Sequence, residues 1–313
     1  MTNADRLRRD ARPRRPSTDV VLSLLGLAAC SLLTAWQRGR ERSPLGRYET
    51  RRQAGVSARI GGLLTTADLR IVFQPIIATE TGRLVGAEAL SRFEAIHPAD
   101  LPEPPDAVFA DAAIVGLGVE LELLAVRCAL LAAEALPQDL YVSLNVSPAA
   151  LLSPGLTDCL LRSTLPLNRV VLEITEHVSV TDYDVLAARA HEVRALGVRL
   201  AVDDAGAGFA SFRHILRLAP EYIKLDRTLI EDISVDPARR ALAAAVVLFA
   251  FEMGSEVVAE GVETLAELRT AQTLGIDAVQ GFLLGLPTDD WATWAEWHSN
   301  GPLYRLRAMP ASA

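Results

Sequence analysis

Acidic and amide side chains stand at or near the ends of successive short apolar runs, and the chain's capacity for chemistry is concentrated there. Glu88 lies in LVGAEAL, Asn145 in VSLNVS, Glu173 and Glu176 in VVLEITE, and Asp203 and Asp204 end RLAVDD. Further on, Glu260 ends VVAE with Glu263 just beyond, and Gln280 lies in AVQGF. A single acid of this kind is usually a solvated loop residue. A series of them at strand ends is different, because gathered carboxylates repel one another unless cations neutralise them. Oxygen-rich ligands with one Asn and neither Cys nor His point to magnesium, manganese or calcium rather than zinc. The adjacent Asp203 and Asp204 suit a two-metal site, in which one carboxylate bridges both ions and its neighbour reaches only the second. The plainer reading of such a pair is a turn or helix cap, but Gly206 and Gly208 suggest a mobile loop after it. Lys224, in YIKLD, is the only lysine in the chain, against a background in which every other cationic side chain except His is Arg. An ammonium is a compact donor whose pKa can be tuned, which a guanidinium is not, so a chemical need for an amine would explain the exception.

These residues converge only if the elements carrying them share one face. Eight β-rich runs are predicted: Arg70–Ala78, Leu84–Phe93, Leu140–Ser147, Arg169–Glu176, Arg199–Asp204, Tyr222–Asp226, Glu256–Glu260 and Ala278–Phe282. The first two are separated by TETGR, a tight Gly-containing hairpin connection, so the first strand should run antiparallel to the second. The later crossovers are long and carry apolar residues at helical spacing, notably in 108–136, 182–196 and 237–253. Alternating β and α gives a mainly parallel sheet. Eight such strands close most naturally into a TIM-like (β/α) barrel of the α/β class, whose carboxyl-end face carries the active site. An open doubly wound sheet is the other possibility, but no dinucleotide glycine fingerprint follows the first strand.

The 313 residues carry a net charge of −8, yet residues 1–60 hold 13 Arg against 5 acids, leaving about −16 on the remainder. An acidic body argues against nucleic acid as a partner, since phosphate backbones are met by basic surfaces. It suits a site that collects divalent cations. Cys30, Cys128 and Cys159 form no CxxC pair and read as small hydrophobes in a reducing cytosol. The expected organisation is a basic N-terminal tail over 1–55, a barrel domain over 56–300 beginning with a helix to Thr65, and a C-terminal tail over 301–313. Within the tail, residues 20–36 are an apolar run at the lower length limit for a membrane span, flanked by Arg on both sides, and 37–55 form a charged linker. The run reads either as an anchor holding a cytoplasmic domain at the inner face of the membrane or as an amphipathic or partner-bound helix.

Taken together, residues from about 66 to 290 resemble the EAL domain of cyclic di-GMP phosphodiesterases. The resemblance rests on FQPI at 73–76, the Glu88-Ala89-Leu90 triplet within TGRLVGAEALSRF, then SLNVSP, LEITE, DDAGAGFASF, YIKLDR, VVAEGVET and QGFLLGLP in the family's order and spacing. It implies hydrolysis of cyclic di-GMP to linear pGpG with magnesium or manganese in a two-metal site. By motif, Glu88, Asn145, Glu173 and Asp203 would hold the first metal, and Asp203 and Asp204 the second. Lys224 would orient the attacking water, and Glu260 would be either a ligand of the second metal or the general base. Glu263 and Gln280 would support the water and metal shell, Glu176 would brace the loop after Asp204, and Gln74, Leu90 and Arg92 would contact substrate. The family also implies a homodimer. One departure is the loop after the Asp pair, where Ala205 and Ala207 replace an aromatic and a hydroxyl residue of the usual DDFGTGYSS. That loop couples dimerisation to metal affinity in the family, and the change is the only support for an alternative reading, a catalytically weak domain that acts as a cyclic di-GMP receptor or protein-interaction module. A lyase or aldolase using Lys224 as a Schiff-base amine is a third, but it leaves the carboxylates unexplained.

Overall fold

The structure is a computed structural model that describes residues 44–93, 103–174, 182–205 and 209–302, without the side chains of 44–50, 204 and 209–211. Glu176, the apolar run 20–36 and most of the expected C-terminal tail lie outside these residues. The chain divides into two units, Met1–Ala58 and Arg59–Ala313, and the barrel belongs to the second.

Eight strands close into a barrel in sequence order: β1 (Leu69–Ala78), β2 (Leu84–Phe93), β3 (Tyr141–Val146), β4 (Val170–Ile174), β5 (Arg199–Ala205), β6 (Tyr222–Leu225), β7 (Glu256–Ala259) and β8 (Ala278–Val279). Strand β1 is antiparallel to both β2 and β8, and every other neighbouring pair is parallel. The expected TIM-like barrel with a reversed first strand is therefore the fold. The helices are α1 (Pro44–Thr66), α2 (Pro105–Ile114), α3 (Gly118–Ala132), α4 (Pro148–Leu152), α5 (Pro154–Leu161), α6 (Tyr183–Ala195), α7 (Phe209–Leu218), α8 (Arg227–Ile230), α9 (Pro237–Met253), α10 (Leu265–Leu274) and α11 (Trp291–Asn300).

Local chemistry sets several of these boundaries. Asp182 and Asp236 accept backbone N–H bonds at the starts of α6 and α9, and Thr264 with Glu267 forms a full capping box on α10. One expectation needs correction. The segment 44–55, read as linker, is helical, because its Arg, Glu, Gln and Ala residues favour a helix more than their charge opposes it. The segment 108–136, read by its helical spacing, holds two helices, since Gly116 adopts φ 76°, a left-handed conformation that ends α2 before α3 begins. Among the described residues no helix is long and apolar enough to cross a membrane.

Strand side chains alternate between two environments, as a period of two demands. Val142, Leu144, Leu172, Leu200 and Ile223 pack in one large cluster with helix residues such as Leu186, Val193, Val246 and Ala250. The intervening residues Tyr141, Val171, Ala201, Tyr222, Val258 and Ala278 join Ile76 in a separate small cluster inside the barrel. Tyr141 and Tyr222 stack there with ring centroids 5.2 Å apart, and the Arg199 guanidinium lies 5.3 and 5.2 Å from the two rings. Gly86 makes room for this layer, since a Cβ at that position would stand 2.5 Å from Cζ of Tyr141. The layer is an apolar floor, and the next inward position of each strand lies directly above it.

Candidate active site

One step of alternation above the floor, the inward residues change character. Glu88 on β2, Ser143 on β3, Glu173 on β4, Asp203 on β5 and Lys224 on β6 occupy this level, with Gln74 contributed by β1. Glu260 and Gln280 follow directly on the last residues of β7 and β8. Strand register makes the convergence unavoidable, because Gln74 pairs with Glu88, Glu88 with Ser143, and Asn145 with Glu173.

The Lys224 ammonium is the centre of the layer. It is 1% exposed and stands 2.7 Å from Oε2 of Glu173, 3.6 Å from Oε2 of Glu88 and 3.8 Å from Oδ1 of Asp203. It also makes an ion-pair contact with Oε1 of Glu260, without hydrogen-bond geometry. Glu88 is held at both oxygens: Asn145 donates to Oε1 at 2.8 Å and Gln280 to Oε2 at 2.5 Å. The same Gln280 amide donates to Oε1 of Gln74 at 3.0 Å, and Gln74 in turn donates to the carbonyl of Gly285 at 3.2 Å. Glu173 is likewise held twice, by Lys224 on Oε2 and by the Ser143 hydroxyl on Oε1.

The electrostatics follow from burying four acids with one base. Burial pushes Glu260 up, Lys224 opposes it, and Asp203, Glu88 and Glu173 reinforce it, leaving its carboxyl well above the usual range. Burial also raises Glu173, which Lys224 opposes and the charges of Glu88 and Asp203 reinforce, bringing it to about 8. For Glu88 the burial effect is outweighed by the Lys224 charge and by bonds from Gln280 and Asn145, so it lies below the ordinary value. Burial would lower Lys224, but Asp203, Glu173, Glu260 and Glu88 overcome it and hold the ammonium well above a free lysine. Burial and mutual repulsion thus disfavour the charged forms of Glu173 and Glu260, and one ammonium offsets this only in part.

Four acids gathered around a single ammonium make a layer that fits divalent cations. The donors are oxygens of hard ligands, and the buried Oε1 of Gln280 lacks a hydrogen-bond partner. Among the described residues no group of three or more acids, histidines or cysteines is by itself spaced to hold a metal ion. The reason is visible in the contacts, since Lys224 draws Glu173 and Glu260 onto itself. The side chain of Asp204 is outside the described set, although its backbone continues β5.

The remaining sequence-predicted residues sit around this layer. Leu90 and Arg92 are half-buried farther along β2, with Arg92 close enough to Glu88 to feel its charge. Gln74 is buried and engaged at both ends of its amide, so in this arrangement it props Gln280 rather than facing a ligand. Glu263 does not join the cluster around Lys224: its carboxylate pairs with Arg227 at 2.9 Å, where both side chains are substantially exposed. Ser143 is the participant that reading the sequence missed, and its inward parity with Tyr141 and Asn145 was the available signal.

The fold and site together define a TIM-like barrel whose carboxyl-end layer is built from acids around a buried lysine. The model of the EAL domain matches residues 58–287, and the chain belongs to that family. A Pseudomonas aeruginosa relative, the bifunctional diguanylate cyclase/cyclic di-GMP phosphodiesterase MucR, is 32% identical over 232 residues, covering 72% of this chain and 34% of its own length. The chain therefore spans about a third of that curated relative. The PaMucR phosphodiesterase in complex with c-di-GMP superposes with a TM-score of 0.68 at 29% identity, over 76% of this chain and 99% of that one. Klebsiella pneumoniae BlrP1, in a manganese/cy-diGMP complex, gives a TM-score of 0.63 at 32% identity, over 71% of this chain and 56% of its own.

A pH dependence follows from the protons in the layer. Without metal, folded Glu173 keeps to about 8 a proton that a free carboxyl, with an ordinary value of 4.5, releases, so the folded state binds more protons across that window and stability falls as pH rises through it. In chelator, the thermal midpoint should be several degrees lower at about pH 8 than at about pH 5, with a flatter profile in Glu173→Gln. A wild-type profile no steeper than that of the variant would contradict the assignment.

Proposed function

We propose that this chain is a cyclic di-GMP phosphodiesterase that opens one phosphodiester to give linear pGpG in the presence of Mg2+ or Mn2+. The observation that carries the proposal is the buried layer in which Glu88, Glu173, Asp203 and Glu260 surround Lys224 at the carboxyl ends of the strands. The names of MucR and of the c-di-GMP complexes support the substrate, and the manganese complex of BlrP1 supports the metal. Bound divalent ions would supply an activated water and neutralise charge at phosphorus.

Each residue then has a task set by its position. Glu88, Asn145, Glu173 and Asp203 would hold one ion, and Asp203, Asp204 and Glu260 the other. Lys224 is the fixed cation of the site. Its ammonium orients the attacking water and keeps the acids from repelling one another apart. Glu260 pairs with Lys224 and has the most exposed side chain of the four acids. Ionised beside a bound cation, it would be able to accept a proton at a carboxylate oxygen or to bind the cation itself. Gln280 and Gln74 hold Glu88 in place, and Leu90 and Arg92, farther along β2, bound the side from which a dinucleotide phosphate would enter.

A homodimer is the proposed assembly, and α9 supports it. Its residues Leu248 and Phe251, one turn apart on the same face, are 63 and 77% exposed, within a stretch from Ala241 to Phe251 that has no charged residue. A single surface repeated on two copies is self-complementary about a twofold axis. Sedimentation of the full chain should show a dimer that Phe251→Glu shifts toward monomer, and an unchanged distribution would remove α9 from the interface.

The activity is tested by incubating the purified chain with cyclic di-GMP and Mg2+ or Mn2+ and separating the nucleotides by chromatography. Production of pGpG, abolished by EDTA, is expected. Tight binding without product would make the chain a receptor instead.

A further inference from the structure

The two best-ordered acids of the layer are held in the same way, and one of the groups that does so has no assigned role. Glu88 has an amide on each oxygen, from Asn145 and Gln280. Glu173 has the Lys224 ammonium on Oε2 and the Ser143 hydroxyl on Oε1. We propose that Ser143 is a positioning residue for Glu173, fixing one carboxylate oxygen so that the other is presented to the centre of the layer, where a divalent cation would take it. The proposal rests on the metal-dependent reading above.

Geometry and burial carry the argument. Ser143 is 1% exposed, on the inward parity of β3, in register with Glu88 on one side and Val171 on the other. A residue needed only to fill this position could have been apolar, as Val171, Ala201 and Val258 are in the layer below. A buried hydroxyl must find an acceptor, and here the acceptor is an acid that is itself 1% exposed. Removing the donor would leave Oε1 of Glu173 without its hydroxyl partner in a site that admits little solvent. With a cation bound at Oε2, the Ser143 bond on Oε1 would still fix the plane of the carboxylate. Such supporting bonds typically govern metal affinity as much as the ligands' own identity does.

The test uses the full chain, with Mn2+ alone as the probe and calorimetry as the readout, alongside cyclic di-GMP turnover. Ser143→Ala should weaken Mn2+ binding by about tenfold or more. It should raise the Mn2+ concentration needed for half-maximal turnover by a similar factor while leaving KM for cyclic di-GMP near wild type. Ser143→Thr, which keeps the hydroxyl, should recover most of the loss. Should the Ala variant fail to fold, Ser143→Cys, a weak donor of similar size, is expected to show the same loss. An alanine variant that binds Mn2+ like wild type would overturn the inference, as would equal losses in the alanine and threonine variants, which would assign the effect to packing. Wild-type protein that binds Mn2+ without hydrolysing cyclic di-GMP would remove the phosphodiesterase reading while leaving Ser143 to be judged on affinity, and wild type that binds no Mn2+ would overturn both.

Discussion

Everything in this barrel is arranged around one constraint: four carboxylates and a single ammonium share a largely buried space. Four charges of one sign at this spacing would repel strongly in a low-dielectric interior. The protein meets the constraint with Lys224 in the middle and amides and a hydroxyl on the outer oxygens. The apolar floor beneath contributes as well. Its stacked Tyr141 and Tyr222 rings fill the barrel directly below the acids. The floor in turn depends on the room left by Gly86 beside Tyr141.

This arrangement also explains the contrast between binding cations and being ready for them. With Lys224 pulling Glu173 and Glu260 inward, the acids are not spaced as a cage. A divalent cation competes with the ammonium and with protons for the same oxygens. Affinity should then be set by how firmly each carboxylate is held from behind, which is why the outer contacts of Glu88 and Glu173 matter as much as the inner ones.

Much of this was legible in the sequence. All eight strands and the reversal of β1 could be read from short apolar runs and the hairpin at TETGR, because period-two alternation and turn composition act locally. The convergence of Glu88, Asn145, Glu173, Asp203, Lys224, Glu260 and Gln280 followed from their places near strand ends. What was missed depended on contacts between distant segments. Ser143 looked like an ordinary strand serine until the barrel closed and set it against Glu173, and Gln74 read as a ligand contact until β8 brought Gln280 onto it. Glu263 shares the VVAEGVET motif with Glu260, but the turn after β7 carries it outward to Arg227. The break between the two helices of 108–136 was signalled by Gly116, whose left-handed backbone outweighed the helical spacing around it.

The most direct measurement of the central claim is the turnover of cyclic di-GMP by Lys224→Arg, made alongside its thermal stability and Mn2+ affinity. Arginine keeps the positive charge but replaces a compact ammonium with a broad planar fork, which has no room between Glu173 and Glu260. The account predicts a folded protein whose turnover falls by about 100-fold or more. Wild-type turnover by that variant would show that charge alone suffices at this position and that the ammonium at the centre of the layer is not what the site is built around.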